Sequence, residues 1–237
     1  LGKQPRLFFA GEESGGEILG TPDFIVSKGG RKALSMREKS AGEAMVITSA
    51  MIGWLQKEKR TPTQYLAEIF ERNKIKSKYE IRIDHKYYNE SEPNIDLMTQ
   101  AKEAGIDIRT HNDKFFLSTA LAYRDKIISL DQVKQILNEG FPTLNFIDLL
   151  DIKFVGDGTY LLFTNKCLEV RPSGTDAINK AYSYGEDRQE CMLYAQKFTS
   201  YTGNRTPLHK SLIPDDFYDD VKSYSYKLYT DYRNSNC

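Results

Sequence analysis

The segment Val170-Arg171-Pro172-Ser173-Gly174-Thr175-Asp176 places a guanidinium, two hydroxyls and a glycine within one short stretch. An arginine offers a planar fork of donors that matches the oxygens of a phosphate, and it stays charged at physiological pH. Pro172 has a fixed φ and no amide donor, which stiffens the chain after the fork. Gly174 permits a tight turn whose amides converge on an anion, and Ser173 and Thr175 add hydroxyl donors. This is phosphate-binding chemistry, and an ordinary turn uses the same residues. A second polar, glycine-punctuated segment, Gly11-Glu12-Glu13-Ser14-Gly15-Gly16, suits a polyol. There Glu12 can accept hydrogen bonds from two neighbouring hydroxyls, and Ser14 adds an adaptable third contact. A solvated turn is the alternative for that segment too.

The elements around the first segment are strands. Ile152 to Val155, the turn Gly156-Asp157-Gly158 and Tyr160 to Thr164 form a hairpin, and Asn165-Lys166 turns into a third strand ending at Arg171. A further strand spans about 178 to 184, and Asp187 with Glu190 caps a helix that reaches Thr202 and stops at Gly203. Tyr79, Ile81 and Ile83 alternate with Glu80, Arg82 and Asp84 as in a half-buried strand, and the domain boundary is placed just before it, between 77 and 78. The spacing predicts helices at about 94 to 104, ending at Gly105, and from Asp131 to Glu139. Phe115-Phe116-Leu117 and Ile127-Ile128 are apolar runs too short to type.

Ahead of the boundary, Leu7 to Ala10 reads as a strand leading into the glutamate-rich loop. Ser40 and Glu43 form a capping box for a helix carrying Met45, Thr48, Ile52 and Leu55, with Trp54 in its packing. Thr61, Pro62 and Gln64 open a second helix expected to bury Leu66, Ile69 and Phe70. In the tail, 204 to 237, Phe217, Val221, Tyr224 and Leu228 fall on one helical stripe, with Tyr218, Tyr226, Tyr229 and Tyr232 off it. Packing back onto the domain is favoured; docking to a partner is the alternative.

Composition narrows the function classes. The 237 residues are 40% hydrophobic, enough for ordinary globular cores, and 33 basic residues balance 33 acidic ones. No global field would draw this chain to nucleic acid or to an anionic membrane, so any anion site must be local. Cys167, Cys191 and Cys237 are odd in number and widely spaced, which favours free thiols in a reducing, cytoplasmic setting. The histidines His85, His111 and His209 form no cluster, which disfavours zinc. The apolar stretch from Ala44 to Leu55 is too short to cross a bilayer, and no secretory signal is visible at the start. Opening at Leu1 within an apparent strand, without methionine, the chain reads as a piece of something longer.

GEESGG followed by Met36-Arg37-Glu38-Lys39, and later RPSGTD before Lys180-Ala181-Tyr182, resembles the α-D-phosphohexomutases, the family of phosphoglucomutases and phosphomannomutases. The resemblance covers roughly residues 6 to 202. In that family four domains surround a cleft in which a phosphoserine exchanges its phosphoryl group with the 1- and 6-positions of a hexose. The resemblance implies an α/β partial third domain over 1–77. It implies an α+β fourth domain over 78–237, of the TATA-box-binding-protein-like type with a four-stranded antiparallel sheet and helices. It assigns Glu12 and Ser14 to the sugar-binding loop, and Arg171, Ser173, Gly174 and Thr175 to the loop gripping the phosphate that is not reacting. Lys39 matches a lysine near the active site that would assist proton transfer or phosphate binding.

The resemblance also implies partners: a hexose phosphate substrate, glucose ahead of mannose on the Glu12-Glu13 pair, and the N-terminal domains of the same enzyme. Its cofactors would be Mg2+ and a hexose 1,6-bisphosphate activator, with the cation held by the missing part. Gly16 stands where some members carry a histidine, and Asp176-Ala177 stands where Glu-Pro is common. Neither a phosphoserine loop nor an Asp-x-Asp-x-Asp metal run occurs in these residues, so this chain alone is expected to be inactive. The rival from another class is a non-catalytic anion- or partner-binding module docking through its tyrosine-rich tail.

Overall fold

A computed structural model describes residues 9–11, 17–19, 25–26, 28–30, 32–33 and 41–235. The chain divides into two compact units, Leu1–Lys74 and Ile75–Cys237, with the division close to the expected boundary at 77/78.

In the first unit β1 (Phe9–Gly11) pairs antiparallel with β2 (Glu17–Leu19), and β3 (Ile25–Val26) with β4 (Lys32–Ala33). Two helices follow, α1 (Ala41–Lys57) and α2 (Pro62–Arg72). The second begins with the expected capping box: Gln64 N donates to Thr61 Oγ1 at 3.2 Å, and Thr61 N donates to Gln64 Oε1 at 2.8 Å. The Trp54 ring of α1 meets Tyr65 of α2 edge-on at 5.5 Å, with the Arg60 guanidinium over both. Because α2 is engaged through Tyr65, the expected burial is corrected: Leu66 is exposed and Ile69 and Phe70 are only half-buried. The Met45–Ile52 side of α1 is also exposed, whereas Leu55 is fully buried.

The second unit contains β5 (Tyr79–Lys86), α3 (Ile95–Arg124), α4 (Leu130–Gly140), β6 (Leu149–Val155), β7 (Gly158–Phe163), β8 (Lys166–Pro172), β9 (Ile178–Gly185), α5 (Arg188–Ser200), α6 (Pro207–Leu212) and α7 (Asp215–Ser235). Its sheet is antiparallel, in the order β5-β9-β8-β7-β6. The unit is thus α+β, but its sheet has five strands where four were expected. The chain from β6 to β9 is a meander, and β5 hydrogen-bonds along the outer edge of β9 from Tyr79–Gly185 to Lys86–Ile178. Alternation within β8 sends Leu168 and Val170 into the core with Ile81, Leu161 and Ala181, and turns Glu169 and Arg171 to the opposite face. The core face is covered by Phe116, Phe141, Phe146 and Phe198, whose rings stack within 4.7 to 6.0 Å of Phe198.

Gly105 does not end a helix. It lies inside α3, which continues through Phe115-Phe116-Leu117 to Arg124. A Cβ there would lie 2.8 Å from Tyr87 Cβ and 3.0 Å from Ala177 Cβ, so the glycine allows close packing of α3 on the segments flanking β5 and β9. Glycine in a helix interior costs about 1 kcal/mol, which burial of the following apolar turns outweighs. The helix expected to reach Thr202 ends earlier, at Ser200 with Tyr201 already extended, and Gly203 lies in the loop beyond it. Its φ of +78° suits glycine, and a Cβ would meet the His111 backbone at 2.1 Å.

The tail packs back on the unit. Val221 is buried with Leu117 and Leu121 of α3, and Phe217, Tyr224 and Leu228 flank them. Tyr218, expected off the stripe, is buried as well, beneath Lys114 and Arg205. Arg205 Nε donates to His209 Nδ1 at 2.9 Å, which leaves Nε2–H for Ser118 Oγ at 3.0 Å. Burial, then the Arg205 charge, pushes this histidine down to about 3. The imidazole is therefore a neutral structural linker between α6 and α3. Cys167 and Cys191 are free thiols, and Cys237 lies outside the described residues. Among the described residues no helix is long and apolar enough to cross a membrane.

Candidate functional site

The turn at 173–177 joins β8 to β9, closed by Ser173 N donating to Ile178 O at 2.8 Å. It is held from behind by α3. Arg109 Nη1 donates to the carbonyl oxygens of Ser173 at 2.5 Å and Asp176 at 2.6 Å, so one cation ties down both ends of the turn. Asp176 is fixed in its own right: Lys102 Nζ lies 3.0 Å from Oδ1, the Tyr88 hydroxyl donates to Oδ2 at 3.1 Å, and the Ala177 amide donates to Oδ1 at 2.8 Å. Against partial burial, Lys102, the Ala177 amide and Tyr88 hold this carboxyl below its ordinary value. It is a brace for the turn and stays ionised at neutral pH.

Braced in this way, the turn leaves its other donors open. Among the described residues the amides of Gly174 and Thr175 and the hydroxyls of Ser173 and Thr175 have no hydrogen-bond partner. Gly174 and Thr175 are exposed. Gly174 has no positive φ and nothing within 4 Å of where a Cβ would stand, so the expectation that it is needed to turn the backbone is corrected. What it contributes is open space in front of the amides. Donors held without internal partners in a fixed backbone are suited to an anion.

Arg171 lies two residues before Ser173, near the end of β8, on the sheet face opposite Leu168 and Val170. Its Nη1 is 3.3 Å from Asp157 Oδ2, its Nη2 donates to the Tyr182 hydroxyl at 3.3 Å, and its guanidinium lies 5.5 Å from the Tyr182 ring centre. Arg82 flanks the same ring at 5.6 Å. The guanidinium is about a third exposed, and its carboxylate partner is 67% exposed, so the pair can open toward a ligand at little cost. The structure thus separates the motif into a cation on one face and open turn donors at the edge, with Arg109 behind.

Glu12, Ser14 and Lys39 lie outside the described residues. The residues that sequence reasoning missed are Arg109, Lys102 and Tyr88. Each is distant in sequence from the turn, Arg109 by 64 residues, and local spacing carries no signal for them. Among the described residues no group of three or more His, Cys, Asp or Glu side chains is arranged to hold a metal ion. No protein-family model matches the chain, and a search of curated proteins finds no match.

Proposed function

We propose that the second unit is the phosphate-gripping C-terminal domain of a hexose phosphate mutase of the α-D-phosphohexomutase type, acting on glucose phosphates. The observation that carries this reading is the braced 173–177 turn with open donors at Ser173, Gly174 and Thr175, beginning two residues after the forked cation Arg171. In this role the turn and Arg171 hold the phosphate that is not reacting. Phosphoryl transfer depends on positioning and charge stabilisation, so a remote clamp supplies binding energy that aligns the other end of the substrate. The hexose would turn over midway as a bisphosphate, and a clamp made of backbone donors and one guanidinium accepts either phosphate equally. On this reading the second unit is a TATA-box-binding-protein-like domain in which one of the five strands is an addition.

Several features fit the rest of the proposal. Met45, Val46, Met51 and Ile52 of α1 are exposed, as expected of a helix taken from a larger sandwich of helices and sheet. The phosphoserine, the Mg2+ ligands and the N-terminal domains of this reading belong to segments of the enzyme other than these residues, with Glu12, Ser14 and Lys39 completing the sugar side. Titration of the chain with inorganic phosphate, followed by NMR shifts, tests the clamp. Shifts at Gly174 and Thr175 that weaken about tenfold in Arg171→Ala are expected. Equal affinity in the two proteins would sink the assignment.

A further inference from the structure

Behind the turn lies a cleft of about 650 Å³. That is the size of a site for a small organic molecule. Three layers supply its walls: Arg109 and Leu117 from α3, Phe154 and Asp157 at the β6–β7 turn, and Pro172, Ser173 and Gly174 from the β8–β9 turn. The remaining wall is α7, which brings Lys222 and Tyr226. Since Val221 anchors α7 on Leu117 and Leu121, the helix holds this wall in place.

The charges in the cleft do not cancel. Lys222 is hydrogen-bonded to the buried Asp113, and Asp157 is engaged by Arg171. Arg109 makes no ion pair among the described residues, and its Nε is buried with no hydrogen-bond partner. Its Nη1 is taken by neutral carbonyls, so the Arg109 charge at the cleft wall is left without a counter-anion. The Gly174 amide and the Ser173 hydroxyl add unmet donors at the same end. The other walls are mostly apolar, with Leu117, Phe154, Pro172 and the rings of Tyr226 and Tyr229, broken by Ser225; Tyr226 is 73% exposed.

We propose that this cleft binds an oxyanion carried on a flat, apolar body, an aryl phosphate or aryl carboxylate. The anion lies at Arg109, Ser173 and Gly174, and the ring lies against Phe154, Pro172 and Tyr226. The site differs from the clamp proposed above in its cation, Arg109 in place of Arg171, but both draw on Ser173 and Gly174, so a ligand in one competes with a ligand in the other. Lys222 and Tyr226 come from the tail helix, so the tail acts as the specificity wall of the cleft.

Calorimetric titration of the whole chain with phenyl phosphate, and in parallel with inorganic phosphate and glucose 1-phosphate, tests this. Phenyl phosphate is expected to bind about tenfold more tightly than inorganic phosphate, the ring supplying the difference. Tyr226→Ala, at an exposed position that leaves the fold intact, should cut phenyl phosphate affinity about fivefold and leave inorganic phosphate unchanged. Arg171→Ala, which also frees the cleft-lining Asp157 carboxylate, should weaken glucose 1-phosphate binding more than phenyl phosphate binding, which separates this site from the clamp. Equal affinity for phenyl and inorganic phosphate, no saturable phenyl phosphate binding, or a preference for the aryl ester that survives Tyr226→Ala would each overturn the proposal. So would a parallel loss of phenyl phosphate and glucose 1-phosphate binding in Arg171→Ala. If glucose 1-phosphate alone fails to bind while the aryl preference holds, the clamp falls and the cleft stands.

Discussion

Strand β8 carries a cation near each end, and the two are used in opposite ways. Lys166, at its start, has a side chain only 3% exposed; its ammonium meets Glu190 at 2.9 Å and Asp148 at 3.4 Å and lies over the rings of Phe163 and Tyr194 at 4.3 and 4.7 Å. Arg171, near its finish, is ten times more exposed and has a single solvent-facing carboxylate partner at 3.3 Å. Each cation has a glycine against it, Gly185 beside Lys166 and Gly158 beside Arg171. The difference shows that basic residues on one strand are not interchangeable signals of function. A cation saturated by partners is a staple, whereas one with a weak, displaceable partner can exchange it for a ligand.

The staple end should be the less tolerant. Gly185→Ala would place a Cβ 2.6 Å from the buried Cys191 sulfur and 3.0 Å from Lys166 Cβ, and overpacking of this kind costs about 3 kcal/mol, measured as a shift in the urea midpoint. Lys166→Met should cost about 2 kcal/mol, since Glu190 and Asp148 lose a shared partner but are exposed enough to regain water. Burial works against the Lys166 ammonium, yet the hydrogen bond to Glu190 and the nearby carboxylates outweigh it and raise its pKa above 10.5. A raised folded-state pKa gives stability that is present at neutral pH and is lost as pH climbs past 10.5. Lys166→Met should remove that contribution to the alkaline limb of a stability-against-pH curve, and an unaltered limb would break the comparison.

At the other end, Arg171→Ala should change unfolding free energy by no more than about 0.5 kcal/mol while weakening phosphate binding about tenfold. A larger stability loss would make Arg171 a second staple. Gly174→Ala should have the smallest effect on folding, within about 0.5 kcal/mol, because nothing stands within 4 Å of the added methyl. Its methyl would stand in the open space before the turn amides, so weaker phosphate binding at unchanged stability would mark that space as the ligand's.

Local rules reached some features and not others. The Thr61–Gln64 box, the Asp187 cap of α5 and the alternation that turns Leu168 and Val170 inward are short-range patterns, and the structure reproduces them. Gly105 misled because a glycine inside a helix and one past its end look alike in sequence; only the position of Tyr87 decides between them. Leu66 misled for a related reason: its stripe is apolar, but α2 meets α1 through Tyr65. Sequence brought Arg171 and Ser173 together as one cradle, whereas in the structure the guanidinium is drawn to Tyr182 and Asp157 and the turn donors stand at the strand end.

The sequence by itself therefore determined the chemistry available: a forked cation next to hydroxyl and amide donors in a turn, on a neutral chain with no field of its own. The tertiary structure decided which of those groups remain available. Arg109 and Lys102, far away along the chain, take up the turn's carbonyls and carboxylate, and α7 forms a wall beside it. Periodicity and turn chemistry act over a few residues, but whether a donor is spent or open depends on which distant groups the packing of a helix brings to it.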